Sequence, residues 1–113
     1  MGEIEVMMDQ LLQQIRDTRE FNQYQNLLQR VKAQPDLYHR IGEFRRKSIR
    51  MQMQGGENFI AENNDLQKEF ADLQNNGLAS EFFASEQQYC NLVRQLNHHF
   101  LEGVQVDTSF LEE

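Results

Sequence analysis

Residues 35–56 read PDLYHRIGEFRRKSIRMQMQGG, and the stretch opens as a helix opens. Pro35 loses nothing at a first helical position, where its missing N–H would be unpaired anyway. Asp36 beside it suits the positive end of the helix dipole. Leu37, Ile41 and Phe44 follow at steps of four and three, which puts them on one side of a helix. Tyr38, Ile49 and Met51 widen that stripe. The other side carries Arg40, Arg45, Arg46, Lys47 and Arg50, opposed only by Glu43; these are five of the chain's eleven Lys and Arg. Gly55-Gly56 closes the helix, because glycine takes a left-handed C-cap without steric cost.

The same periodicity extends outward from this central helix. Ile4, Met8, Leu11 and Ile15 repeat at 4-3-4 spacing, with Met7 and Leu12 alongside, and mark a first helix over residues 4–16. Asp17-Thr18 interrupts it, and either residue can cap a second helix that runs to about Ala33. Phe21, Tyr24, Leu28 and Val31 form the second stripe, with Leu27 beside it. The residue before a proline is pushed out of helical φ/ψ, so Gln34-Pro35 separates the second helix from the central one. On the far side, residues 55–58 are the one clear loop, and Asn58 is placed to cap a fourth helix. Phe59, Leu66, Phe70 and Leu73 share a face of that helix. Asn75-Asn76-Gly77 terminates it, with Leu78 available for the apolar contact that follows a glycine cap. The last helix covers residues 78–101, with Phe82, Tyr89, Val93, Leu96 and Phe100 as its stripe and Leu92 adjacent. Gly103 ends it.

One proline in 113 residues, with no segment alternating like a strand, leaves an all-α chain. The expected architecture is about five amphipathic helices in an elongated antiparallel helical bundle. Residues 1–104 form a single helical domain, and residues 105–113 an acidic C-terminal tail, frayed or docked through Val106 or Phe110. The side chains expected to supply core and oligomer contacts are Phe21, Tyr24, Leu28, Leu37, Ile41, Phe44, Leu66, Phe70, Leu73, Phe82, Tyr89, Val93 and Leu96. Heptad-like stripes pack knobs into holes. Five of them in so short a chain leave apolar surface over, so a homodimer or higher oligomer through helix faces is expected.

The net charge is −7 and the sequence pI about 4.9. A general nucleic-acid binder needs a net positive field, so that class is disfavoured. The basic strip of Arg40, Arg45, Arg46, Lys47 and Arg50 remains the candidate partner-binding surface. Its ordinary reading is a solvated helix face paired with the chain's acids. Its functional reading is a contact for an acidic partner protein, favoured over RNA phosphates in a chain of this charge. The single Cys excludes an internal disulfide and a Cys-rich zinc framework, and suits a reducing cytoplasm. The start, MGEIEVMMDQ, carries acids where a signal peptide carries basic residues, and no apolar run approaches the ~18 residues that suggest a membrane span. A soluble cytoplasmic protein is expected.

Little in the sequence speaks for catalysis. Adjacent His98 and His99 point about 100° apart on a helix, and His98 with Glu102 makes only two ligands. Cys90 has no motif that would supply a base, and reads as a buried or boundary structural thiol. Glu3/Glu5, Glu62/Asp65 and Glu112/Glu113 read as solvated charge. Met51 and Met53 read as core or interface filler. There is no phosphate loop, GxSxG or HExxH. No enzymatic activity, catalytic residue, metal, cofactor or small-molecule substrate is expected.

The stretch DTREFNQYQNLLQRVKAQPDLYHRIGEFRRKSIRMQMQGG resembles the YlbF/YmcA family of small helical bacterial proteins, and the likeness runs from about Met8 to Leu101. It rests on Phe21 and Tyr24, the Pro35-Asp36 helix start, Phe44, and the MQMQG stop at Gly55. Further on it rests on the break from Asn75 to Leu78, the pair Phe82-Phe83, Glu86 and Leu92. The resemblance implies an oligomerising all-α protein with no enzymatic activity of its own. It implies an adaptor role tied to competence, sporulation and biofilm development, with family siblings and a ribonuclease as partners in ribonuclease Y-dependent messenger RNA processing. It also brings in iron–sulfur clusters held by cysteines, but Cys90 alone cannot make a four-cysteine site within one chain.

Overall fold

Six α-helices follow one another among the residues that the computed structural model describes, which are 2–105, 107 and 109–112. They are α1 (Gly2–Arg16), α2 (Arg19–Lys32), α3 (Pro35–Gln54), α4 (Phe59–Glu69), α5 (Ala71–Gln74) and α6 (Gly77–Gly103), followed by a 3-10 turn at Ser109–Glu112. No strand occurs among the described residues. The tail contacts expected of Val106 and Phe110 lie outside the described residues and side chains.

Local chemistry sets most of the helix ends. The Thr18 hydroxyl accepts from the Phe21 N–H at 3.2 Å and donates to the Ile15 carbonyl at 2.6 Å, so one side chain closes α1 and caps α2. Asn22 reinforces the corner by donating to the Arg16 and Thr18 carbonyls. Gly55 and Gly56 take positive φ values of 58° and 113°, and the Gly55 N–H returns to the Met51 carbonyl at 3.2 Å.

Two caps differ from the sequence expectation. Asn58 precedes α4 but its side chain makes no capping bond. Its ψ is 14°, so it lacks the extended backbone that aims an N-cap side chain at the first turn. Asn76, with φ −92° and ψ 117°, has that backbone and accepts from the Ala79 N–H at 3.0 Å. The Asn-Asn-Gly break therefore starts α6 at Gly77 instead of ending the fourth helix on a glycine cap.

The expected continuous fourth helix is broken at Phe70, where φ is −108° and ψ is 26°. The Leu73 N–H turns to the Phe70 carbonyl, which strips the Glu69 carbonyl of its normal i+4 partner. Arg40 of α3 takes that carbonyl at 2.7 Å and grips Asp72 with two further bonds of 3.1 and 3.2 Å. Its guanidinium stands 4.1 Å over the Phe70 ring. Phe70 itself is 1% exposed. The break thus drives an aromatic ring into the core while one arginine satisfies the backbone that the ring disrupts.

The helices pair antiparallel. Phe21 meets Tyr89, Tyr24 stacks against both Tyr89 and Phe82, and Arg30 faces Glu81, so α2 runs against the first half of α6. Arg40 faces Asp72, Phe44 meets Phe70, and Lys47 faces Glu69, so α3 runs against α4 and α5. The core holds Leu27, Val31, Ile41, Met51, Leu66, Phe70, Leu73, Ala79 and Phe82. Tyr24, Leu28, Leu37 and Phe44 pack half-buried around it. Ala79 and Ser85 are buried small residues on α6, and the Ser85 hydroxyl is satisfied by the Phe82 carbonyl. Their lack of bulk gives α2 a close seat.

The array does not close into a globule. Its radius of gyration is 19.0 Å, against about 13 Å for a compact domain of this length. Two parts project. α1 has no buried residue, and α6 runs on past the end of α2.

Replacing Phe70 by Ala should cost about 3–5 kcal/mol in urea unfolding, the loss typical of a deleted core aromatic. The hydrogen bond from Arg40 holds the Asp72 carboxyl below the ordinary carboxylate range. A depressed folded-state pKa means a stabilisation present above the unfolded value and lost as pH falls through the folded one. The thermal advantage of the wild type over Asp72→Asn should therefore stand at neutral pH and vanish in strong acid. An advantage unchanged into strong acid would refute the clamp's electrostatic part.

Candidate functional site

Side chains on a helix advance about 100° per residue, and this divides the basic strip of α3. Arg40 and Lys47 turn to the α4–α5 break. There Arg40 holds Asp72, and the Lys47 ammonium lies 2.5 Å from a Glu69 carboxylate oxygen and 5.5 Å from the Phe70 ring centre. Arg45 turns instead to α6, pairs with Glu86 and lies 5.4 Å over the Phe82 ring. Arg46 and Arg50 are exposed and have no acidic partner among the described residues. The five cations thus share a helix but not a surface.

Between the two outward arginines the helix is apolar. Ile49 is 56% exposed and Met53 82% exposed, and with Arg46, Arg50 and Gln54 they border a shallow hollow. Ile49 and Tyr38 were expected to widen the core stripe, but Ile49 lies about 80° round the helix from Ile41, and both are about half exposed or more. The signal was present in the spacing. Arg46, Ile49, Arg50 and Met53 step by three, one and three, which is a second ridge with its own apolar content.

A second surface is purely apolar. Ile4, Val6, Met7, Met8, Leu11 and Leu12 of α1 are each at least 40% exposed. On the projecting half of α6, Val93, Phe100 and Leu101 are exposed as well, while Leu92 and Leu96 are half-buried. Of the expected stripe, Val93 is therefore uncovered within this chain. These faces are hydrophobic at helical spacing, yet among the described residues they stand largely open.

The remaining polar groups do not converge. His98 pairs with Glu102 at 2.8 Å on an exposed face. Among the described residues no three of His, Cys, Asp and Glu gather to hold a metal ion. Cys90 is exposed, contrary to a buried reading, because Tyr89 takes the inward position beside it. The phenol of Tyr24 is raised above its usual pKa, first by burial and then by the nearby Glu86 carboxylate, so it stays neutral. Among the described residues no helix is long and apolar enough to cross a membrane.

Comparison with known proteins adds one finding. No curated protein and no solved structure gives a significant match to the chain. A family model described as control of competence regulator ComK, YlbF/YmcA matches residues 4–105. That span runs from the first turn of α1 past the end of α6, and so includes the outward α3 ridge and both uncovered apolar faces. With nearly its whole length accounted for in this way, the chain belongs to the YlbF/YmcA family, the group named for control of the competence regulator ComK.

Proposed function

We propose that the protein is a non-enzymatic regulatory adaptor that acts in the cytoplasm by binding proteins, a second copy of itself first among them. The observation that carries this reading is the uncovered surface. The chain exposes 9028 Å2, whereas a compact monomer of 13.4 kDa exposes about 6,500 Å2. The surplus exceeds the roughly 800 Å2 per partner of a standard protein interface. Much of it lies on α1 and the far half of α6, where apolar side chains stand in water. Covering them releases about 25 cal/mol for each Å2 of apolar area, the driving force of association.

The outward ridge of α3 is the second contact. Arg46 and Arg50 flank Ile49 and Met53, a combination that fits an acidic partner with an apolar anchor. Arg40, Arg45 and Lys47 support it from inside, holding α3 against its neighbours. The partners this reading names are family siblings and a ribonuclease. The processes are competence, sporulation, biofilm formation and ribonuclease Y-dependent messenger RNA processing. RNA contact through the same strip is the weaker alternative, because three of its five cations are already paired with acids.

Two measurements test the proposal. Light scattering at micromolar concentration should give a multiple of 13.4 kDa, and Met8→Asp with Leu11→Asp should reduce it to the single chain. A monomeric wild type would contradict the self-association. Tagged protein drawn from its own cell lysate should retain a protein partner after nuclease treatment. Arg46→Glu with Arg50→Glu should lose that partner while unfolding at the wild-type temperature. Partners lost to nuclease would transfer the role to RNA.

A further inference from the structure

Between α2, α3 and α6 lies a half-open cleft of about 480 Å3 that shares only Arg46 with the outward ridge. Its floor is apolar and aromatic, formed by Tyr24, Leu28, Ile41 and Phe82. Its rim carries Lys32, His39, Arg45 and Arg46. The chain has 18 Asp and Glu against 11 Lys and Arg, yet no acidic residue lines this cleft. Glu43 holds His39 at 3.0 Å, and Glu86 holds Arg45. Lys32 on α2 and Arg46 on α3 remain without an acidic partner among the described residues, two cations over a greasy floor.

Gly42 supplies an independent observation. It lies in the interior of α3, where glycine weakens a helix relative to alanine. A Cβ at that position would come within 3.1 Å of the Arg46 guanidinium, whose atoms would be its nearest neighbours. The missing side chain therefore lets Arg46 fold back along the helix onto the rim of the cleft. A helix that accepts this weakness gains a correctly placed cation and an open mouth.

We propose that this cleft binds a short acidic segment of a partner protein, with one large apolar side chain seated on Tyr24, Leu28, Ile41 and Phe82 and flanking carboxylates on Lys32 and Arg46. Charge complementarity selects the occupant. A carboxylate is the group two free cations attract, and an apolar body is what the floor desolvates. The cleft is too small for a second helix to lie in it and too open to bury a small ligand on most sides, as enclosed pockets do. The proposal rests on the protein-binding reading above and shares Arg46 with the outward ridge, but Lys32 belongs to the cleft alone and Arg50 to the ridge alone, so the two can fail separately.

The test uses the full chain and a fluorescein-labelled synthetic nonapeptide of acidic residues around one central phenylalanine, with a lysine-for-acid version as control. Anisotropy should show saturable binding of the acidic peptide and none of the control. Lys32→Glu should weaken binding by about tenfold or more, the scale of losing a charge-assisted contact and gaining a repulsion. Gly42→Ala should weaken it several-fold while melting at or above the wild-type temperature, because the helix gains and only the position of Arg46 is lost. A purely structural glycine would not separate stability from binding in this way. Arg50→Glu, on the outward ridge, should bind the peptide as wild type does. No peptide binding, wild-type binding by Lys32→Glu or by Gly42→Ala, or full competition by phenylacetate at peptide-like concentrations would each overturn the proposal. Loss of lysate partners from Arg50→Glu, which belongs to the ridge alone, beside intact peptide binding by the same variant, would leave both surfaces standing.

Discussion

α2 can cover only half of α6. At about 1.5 Å per residue its 14 residues reach roughly 21 Å, while the 27 residues of α6 reach roughly 40 Å. The stacked rings of Phe21, Tyr24, Phe82 and Tyr89 fix α2 against the first half of α6. α3, α4 and α5 then build on that pair from the other side. Among the described residues the second half of α6 stays largely open, with Val93, Phe100 and Leu101 exposed, and α1, departing at the Thr18 corner, has no buried residue. The open outline, the surplus surface and the case for association all follow from this mismatch in length.

The core is held by a few interactions between elements distant in sequence. Arg40 is the clearest. It satisfies a carbonyl at the end of α4, neutralises an acid on α5 and lies across the ring that separates the two. A cation that a helical wheel assigns to a solvent face is thereby a structural clamp. The same holds for Lys47 and Arg45, whose charges end on Glu69 and Glu86. What is left for partners is smaller than the strip of five and chemically richer, since its two arginines bracket Ile49 and Met53.

This division explains what could be read from the sequence. The starts at Thr18 and Pro35 and the stop at Gly55-Gly56 were legible because the cause is local: a hydroxyl, a ring-locked φ, a missing Cβ. The all-helical architecture was legible because apolar stripes recur at helical spacing from Ile4 to Phe100. The break at Phe70 was not, since neither glycine nor proline marks it and its support comes from Arg40, thirty positions earlier. Asn58 and Asn76 look alike in sequence, and only their backbone angles separate a loop residue from a cap. The pairing of the cations was hidden for the same reason, because each acid that claims one sits on another helix. The membership in a regulatory family rested on packing and turn residues throughout, and these span the matched region.

Self-association, as proposed, would cover α1 and the far half of α6 with another chain. An isolated helix of about 15 residues is marginal in water, and within a single chain α1 has no buried side chain to hold it. Amide hydrogen exchange across residues 2–16 at increasing protein concentration is the direct measurement. The account predicts fast exchange in dilute solution and protection that rises with concentration, while the amides of Leu27 and Val31 in α2 stay protected throughout. Protection of α1 that does not depend on concentration, or its absence at every concentration, would contradict it.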